Sequence, residues 1–235
     1  GYLITSIICR ELESNSFSIF NYYERRARRI LPAFIVVAAI TMLASWMLVL
    51  PSSFKSVGQS FAAASMSVSN VLFWMEDGYF ASASEEKPFL HTWSLGVEEQ
   101  FYIFLPLILI ALKAVTQRNL AIVLGLLALV SLGFSLYLMP DNSSAAFFIL
   151  PFRAWELLMG SLLAVGCLPI LKSDRIKSAI SFAGVATILL CAFTYTQDTP
   201  FPGFYAVWPC LGAAAIIYSQ GCGIAARALG AKPVV

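Results

Sequence analysis

The sequence contains few charged residues and little that is typical of a soluble domain. Only 12% of its 235 residues are charged, 59% are hydrophobic, and the mean hydropathy is +0.79. A disordered chain combines low hydrophobicity with high charge, so that class is excluded and a water-soluble domain is disfavoured. The formal net charge of +2 is too small to indicate a nucleic-acid-binding protein.

Metal ligands and paired cysteines are also scarce. The chain has one histidine and an odd number of cysteines, none of them in C-x-x-C spacing. Most of these cysteines stand in apolar runs, where a thiol behaves as a small hydrophobic group. We therefore expect neither a disulfide framework nor a metal site. The cysteines are Cys9, Cys167, Cys191, Cys210 and Cys222.

Long apolar runs are abundant. A hydrocarbon core of about 30 Å needs roughly 20 apolar residues in a helix, and several windows reach that length. The clearest is 30–50, which carries no charge. The predicted fold class is an all-α, polytopic transmembrane helical bundle. The other predicted spans are 93–112, 120–139, 152–168, 178–196 and the short 205–219.

The basic residues predict which connections face the cytoplasm, because cytoplasmic loops accumulate Lys and Arg. The connections 140–150 and 197–204 have none and are predicted to lie outside, as is the acidic loop 76–92. The basic connections are those with Arg25, Arg26, Arg28 and Arg29, with Lys113 and Arg118, with Lys172, Arg175 and Lys177, and with Arg227 and Lys232.

One segment does not fit an alternation of spans. Because 30–50 leads out and 93–112 must lead back in, the less apolar segment 54–75 cannot cross fully. It is predicted to be re-entrant or interfacial and to line a polar cavity. Residues 1–8 look like the end of an apolar segment, and the chain starts at Gly1 rather than Met. We expect a single truncated membrane domain over residues 1–235.

The first candidate site is the arginine-rich stretch Y-Y-E-R-R-A-R-R-I-L-P at residues 22–32. With Ser18 as N-cap, the spacing predicts an interfacial helix that leads into a span. Its arginines are expected on the face opposite Phe20, Tyr23, Ala27 and Ile30. Either these arginines only set the topology, or Arg26 and Arg29 form a forked pair for a phosphate-bearing cytoplasmic ligand.

The second candidate site is H-T-W-S-L-G-V-E-E-Q-F-Y at residues 91–102. Two adjacent carboxylates inside a span need partners or water, since an ionised group there costs about 2.5 kcal/mol or more. Glu98 shares a helix face with Tyr102 and is expected to be buried, whereas Glu99 either has its own partner or reaches water. His91, the lone histidine, is either a loop residue or part of the site.

The third candidate site is P-F-R-A-W-E-L-L-M-G at residues 151–160. Arg153 and Glu156 are three residues apart at the predicted outer end of a span, so they can pair and lower the cost of burying both. The pair is either structural, with Trp155 as an interface anchor, or faces the same polar cavity as Glu98.

These three stretches, in this order and separation, resemble the acyltransferase 3 family of bacterial inner-membrane proteins. Its members carry R-R-x-x-R-I-x-P, W-S-L-x-x-E-x-Q-F-Y-x-x-x-P and R-x-x-E-x-x-x-G stretches, matched here by residues 25–32, 93–106 and 153–160. The opening G-Y-L-I also resembles the end of the family's second span.

The resemblance implies transfer of an acetyl group from cytoplasmic acetyl-coenzyme A, the acyl donor, to a hydroxyl of an extracytoplasmic glycan such as lipopolysaccharide. Membrane lipid, the coenzyme and the glycan are then the partners, with no nucleic acid and no metal. Coenzyme contacts are expected from Arg25, Arg26 and Arg29. Catalytic roles are expected for Glu98, Arg153 and Glu156, and substrate contacts for His91, Trp93 and Tyr102.

In the family the expected catalytic histidine belongs to a first span, to which His91 does not correspond, so this chain alone is expected to be inactive. A second hypothesis is an ion-coupled transporter or flippase, because carriers also place Glu and Arg around re-entrant segments. Carriers often repeat Gly/Pro-interrupted spans in both halves, and the sequence shows no such pair. A third hypothesis is an anchor or assembly subunit with structural ion pairs only.

Overall fold

The computed structural model describes residues 1–77, 87–169, 171–196 and 199–219, and within them every regular element is helical. A 3₁₀ turn, Phe204–Ala206, precedes the last of the described helices. The α-helices are α1 Tyr2–Glu13, α2 Ile19–Leu48, α3 Pro51–Ser65, α4 Ser69–Asp77, α5 Thr92–Ala111, α6 Gln117–Leu138, α7 Ser143–Phe148, α8 Leu150–Val165, α9 Asp174–Thr194 and α10 Val207–Tyr218.

The all-α fold class is confirmed, and the apolar helices indicate a multi-pass membrane protein. Within the described residues, five helical segments are long and apolar enough to cross a bilayer, and they coincide with the five longer predicted spans. Large apolar side chains such as Ile40, Trp46 and Phe193 are exposed, as expected where lipid rather than water is the solvent. The segments are Ile19–Leu48, Thr92–Ala111, Gln117–Leu138, Ser143–Val165 and Asp174–Thr194.

The segment 54–75 contains two shorter helices instead of one spanning helix. Helix α3 ends where Ser67 adopts a φ of 58°. The amide of Val68 donates to the carbonyl of Ala63 and that of Ser67 to Ala64, which is the Schellman pattern with serine in place of glycine. The predicted interruption of the spans is therefore present, while its depth in the membrane stays a prediction.

The chain divides into two compact units. The α2–α5 unit comprises residues 8–113 and 148–150. Part of its core is Ala38, Val57 and Phe89, against which Phe34 and Phe61 pack. At its edge Lys87 pairs with Glu76 at 2.5 Å, joining the end of α4 to the residues before α5.

The α6–α10 unit comprises residues 1–7, 114–147 and the described residues from 151 onward. In this unit α9 and α10 approach each other closely at Gly184 and Gly212. A Cβ added to either glycine would lie 2.6 or 2.8 Å from the backbone oxygen of the other, so only glycine permits this approach. The division leaves the single-domain interpretation a prediction. Residues 78–86 of the predicted acidic loop, together with Cys222, Arg227 and Lys232, lie outside the described residues.

Candidate active site

An ion pair between Arg26 of α2 and Glu99 of α5 joins these two helices of the α2–α5 unit. The Nε atom of Arg26 donates to both carboxylate oxygens of Glu99 at 3.1 and 2.8 Å, and its Nη2 atom donates to Oε1 at 2.5 Å. The two side chains retain only 15% and 16% of their exposure. The guanidinium also lies over the Tyr102 ring, 3.5 Å from its centroid. This is a charge-assisted, bidentate contact of the stronger kind.

The two adjacent carboxylates of α5 therefore differ from expectation. Glu98, predicted to be buried, is exposed, whereas Glu99 has the partner. Successive helix residues are rotated by about 100°, so only one of two neighbours can face α2. Contacts to α2 select the face that includes Glu99, and the burial predicted for Glu98 is wrong in this structure.

The arginine stretch also differs from the predicted arrangement of faces. Ser18 is the N-cap as predicted, its Oγ accepting from the amide of Asn21 at 3.4 Å. Arg26 lines a cavity together with Tyr23, Ala27 and Ile30, so it is on their face rather than opposite them. The spacing 23, 26, 27, 30 forms one helical stripe, which explains the shared face.

The remaining arginines of the stretch are exposed. Arg25 donates to both oxygens of Glu11 at 2.8 and 3.0 Å and keeps 54% of its side-chain exposure. Arg28 pairs with Glu24 one turn away and keeps 79%. Arg29 is exposed and has no ion-pair partner among residues the structure describes. Arg26 and Arg29 thus do not present two equivalent open guanidinium groups.

Two tyrosines of α2 bind the backbone of α5. The hydroxyl of Tyr22 donates to the carbonyl of Tyr102 at 3.3 Å, and that of Tyr23 donates to Ile103 at 3.0 Å. The Tyr102 carbonyl lacks its usual helical donor because Pro106, four residues later, has no N–H. Tyr22 therefore supplies the hydrogen bond that the proline removes. Tyr22 opens the arginine-rich stretch 22–32, but the motif pattern gave this tyrosine no role of its own.

A buried polar cluster connects α5 to the break between α3 and α4. The side chain of Gln100 donates to the Ser67 carbonyl at 3.0 Å and to Asn70 Oδ1 at 2.8 Å. Asn70, fully buried, donates to the Phe148 carbonyl at 3.0 Å. Ser69 Oγ donates to the carbonyl of Thr92 at 2.8 Å. These contacts satisfy the fully buried amide of Asn70 and fix α5 beside the break.

His91 and Trp93, the expected substrate contacts, lie at the beginning of α5. His91 is the exposed N-cap residue, and its carbonyl accepts from Ser94 Oγ at 3.3 Å. The ring of Trp93 packs edge-on against Phe148 at a centroid distance of 5.7 Å. Tyr102 is instead two to three turns further along α5, beneath Arg26.

A cavity of about 210 Å³ lies between α2, α3 and α5. Arg26 and Glu99 form part of its wall, and apolar side chains form much of the rest. The apolar lining residues include Ile30, Leu31, Phe34, Leu95 and Ile103. The arrangement combines a neutralised ion pair with an apolar pocket, so it offers little free charge to a ligand inside it.

In the α6–α10 unit, Arg153 and Glu156 pair as the sequence analysis predicted. Arg153 donates from Nε and Nη2 to the two oxygens of Glu156 at 2.9 and 2.8 Å, and the side chains keep 13% and 17% exposure. The Arg153 guanidinium also lies 5.4 Å from the Phe147 ring centroid. Glu156 and Cys210 line a cavity of about 160 Å³ in this unit. A common cavity with Glu98 stays a prediction, as do the catalytic roles.

Comparison with known proteins agrees with the motifs. The family model described as acyltransferase domain matches residues 1–231. A Haemophilus influenzae protein named "Uncharacterized protein" is 31% identical over 93% of this chain and 94% of its own length. A Staphylococcus aureus (strain COL) protein named "Putative O-acetyltransferase" is 29% identical over 88% of the chain. A Komagataeibacter xylinus protein named "Putative membrane-bound transacylase BcsY" is 30% identical over 88%.

The relatives differ in length. This chain spans 37% of the Staphylococcus aureus protein and 52% of the Komagataeibacter xylinus protein. No solved structure matches the chain. The match of the acyltransferase family model to nearly every residue, with the three motifs in order, shows that the chain belongs to the acyltransferase 3 family of membrane acyltransferases.

Proposed function

We propose that the protein transfers an acetyl group from cytoplasmic acetyl-coenzyme A to a hydroxyl of an extracytoplasmic glycan. The observation that carries this proposal is the family match, together with relatives named as an O-acetyltransferase and a membrane-bound transacylase. The proposed location is the bacterial inner membrane with the basic connections in the cytoplasm, since Lys and Arg accumulate on that side.

The exposed arginines support an anionic donor on the cytoplasmic side. Arg25, Arg28 and Arg29 follow one another on the first turns of α2, where the helix leads into its apolar part. Guanidinium groups bind phosphate oxygens with two parallel hydrogen bonds, and coenzyme A carries several phosphate groups. Their spacing on an exposed helix surface fits a nucleotide that binds from the aqueous side.

The exposed carboxylate of Glu98 supports a role toward a reacting group. Acyl transfer to a hydroxyl needs a base for the acceptor proton and donors for the developing oxyanion. We assign to Glu98 a role in orienting the catalytic base, the histidine expected in the family's first span. Glu98 would do so through a hydrogen bond to the imidazole ring or to water. In the α6–α10 unit, Arg153 would stabilise negative charge while Glu156 holds the guanidinium.

The test uses the full-length protein in inverted membrane vesicles with radiolabelled acetyl-coenzyme A. Wild type is compared with Arg29→Gln and with the control Arg175→Gln, which removes another exposed arginine from a predicted cytoplasmic connection. We expect label to reach glycan in wild type and in the control, and Arg29→Gln to need about tenfold more coenzyme. No transfer by wild type would overturn the proposal and favour the carrier hypothesis.

A further inference from the structure

The hydrogen-bonding edge of Arg26 is already occupied. Its Nε and Nη2 atoms both donate to Glu99, and the Tyr102 ring covers one face of the guanidinium. A phosphate that used the same two donors would have to displace a carboxylate that is itself largely buried. Leaving that carboxylate unpaired in a membrane protein is unfavourable, so Arg26 is poorly suited to bind the donor.

Arg29, one turn further along the same helix, differs from Arg26 because its guanidinium is not occupied by a carboxylate of the described residues. It is exposed, and the described part of the chain offers it no ion-pair partner. An exposed guanidinium needs no exchange of partners before it binds a phosphate. The two arginines that the motif spacing groups together therefore differ in what they can do.

The Arg26–Glu99 pair also determines how α5 is oriented. Glu99 follows Glu98 directly, so the direction of the exposed Glu98 carboxylate is set once Glu99 is bound to α2. The Tyr22 and Tyr23 hydroxyls bind α5 carbonyls one turn beyond Glu99. Four side chains of two helices thus fix both the rotation and the register of the motif helix.

We propose that Arg26 and Glu99 are positioning residues that hold α5 in the register required by Glu98 and Tyr102, while phosphate contact belongs to Arg29. This assignment rests on the proposed function, since it divides two roles of the same acetyl transfer. It adds Glu99, a residue for which the motif analysis left the role open. It also predicts that Arg26 and Glu99 act as a unit, so their effects on activity are not additive.

The experiment is a double-mutant cycle in the full-length protein, with Arg26→Gln, Glu99→Gln and both together. Acetyl transfer in vesicles gives kcat and the KM for acetyl-coenzyme A, and thermal unfolding in detergent gives Tm. Arg29→Gln is measured alongside. Glu13→Gln is the control, because it removes an exposed carboxylate that forms no ion pair within the described part of the chain.

We expect Glu99→Gln and Arg26→Gln each to lower kcat about tenfold or more with KM within about twofold. The double variant should be no worse than either single variant, and the exchange Arg26→Glu with Glu99→Arg should restore part of kcat. Arg29→Gln should raise KM about tenfold with little change in kcat, and the control should match wild type in both.

Three results would overturn the assignment. A lower KM in Glu99→Gln would mean that Glu99 competes with the donor for Arg26. A KM in Arg26→Gln raised as far as in Arg29→Gln would place Arg26 in phosphate binding. Additive changes in Tm through the cycle would show that the pair does not act as a unit. The Tm cycle needs no activity, whereas absence of transfer by wild type would instead overturn the proposed function.

Discussion

The carbonyl of Tyr102 receives from the Tyr22 side chain the hydrogen bond that Pro106 cannot donate. Inside a membrane an unsatisfied backbone carbonyl costs free energy that water cannot recover. Pro106 removes the helical donor to this carbonyl, and the Tyr22 hydroxyl takes its place at 3.3 Å. A hydroxyl is therefore needed at position 22 because a proline stands at position 106, 84 residues later in the sequence.

Tyr22→Phe is expected to lower the free energy of unfolding by about 1–3 kcal/mol, because the Tyr102 carbonyl loses its donor. In a Pro106→Ala background the same substitution should cost less, since an amide at position 106 again donates to that carbonyl. Thermal unfolding of the four proteins in detergent measures the coupling.

Tyr23→Phe is the matched control for this cycle. Its hydroxyl donates to the Ile103 carbonyl, which faces the amide of Leu107 and not a proline nitrogen. We expect a smaller loss, unchanged by Pro106→Ala. Two results would contradict the proposed replacement of the missing donor by Tyr22. One is an equal loss of unfolding free energy in Tyr22→Phe and Tyr23→Phe, and the other is a loss in Tyr22→Phe that Pro106→Ala does not reduce.

Among the elements, the contact of α5 with the α3–α4 break depends on a residue without a side chain. A Cβ at Gly96 would lie 2.8 Å from Asn70 Oδ1 and 3.3 Å from Ser69 Oγ. Both neighbours are fully buried, and Asn70 is bound to Gln100 and to the Phe148 carbonyl, so neither can move freely. The close approach of α5 to the break therefore requires glycine at position 96.

Gly96→Ala is expected to destabilise the protein by about 1–3 kcal/mol through overpacking against Asn70. Gly133→Ala is the control, because no atom lies within 4 Å of a Cβ there and alanine favours a helix over glycine by about 0.5–1 kcal/mol. The Tm of Gly96→Ala should fall while that of Gly133→Ala stays level or rises. A fall of equal size in both would assign the loss to helix propensity rather than to the contact.

The spans could be predicted from sequence because length and hydropathy are local properties. The break at Ser67 could be predicted only indirectly, because a full crossing by segment 54–75 would put the later spans in the wrong direction. Its exact position could not be predicted, since serine, unlike glycine, gives no local sequence signal for a left-handed conformation. For the candidate site, the motifs indicated that Glu98 and Glu99 need partners or water, but not which of the two is paired; the functional roles of the site residues stay predictions. The pairing depends on which face of α5 packs against α2. The local sequence of α5 alone does not determine that face.

At the scale of the whole molecule, the proposed orientation places the arginines of α2 and the connection 139–142 on opposite sides of the membrane. Helices α5 and α6 are each long and apolar enough to span the membrane, which predicts two crossings between the end of α4 and that connection. Lys113 and Arg118 stand between the two spans, whereas Asp141 is the charged residue after the second. The distribution of charge therefore predicts Lys113 inside and Asp141 outside.

Cysteine accessibility in intact cells tests this orientation. In a full-length variant whose native cysteines are replaced by alanine, Asn142→Cys should react with a membrane-impermeant maleimide from outside, and Arg28→Cys should react only after the cells are opened. Both positions are exposed, so the difference reports the side of the membrane. Reversed labelling would place Arg29 outside, away from cytoplasmic acetyl-coenzyme A. The arginine cluster could then no longer serve the donor, although the Arg26–Glu99 pair would still join α2 to α5.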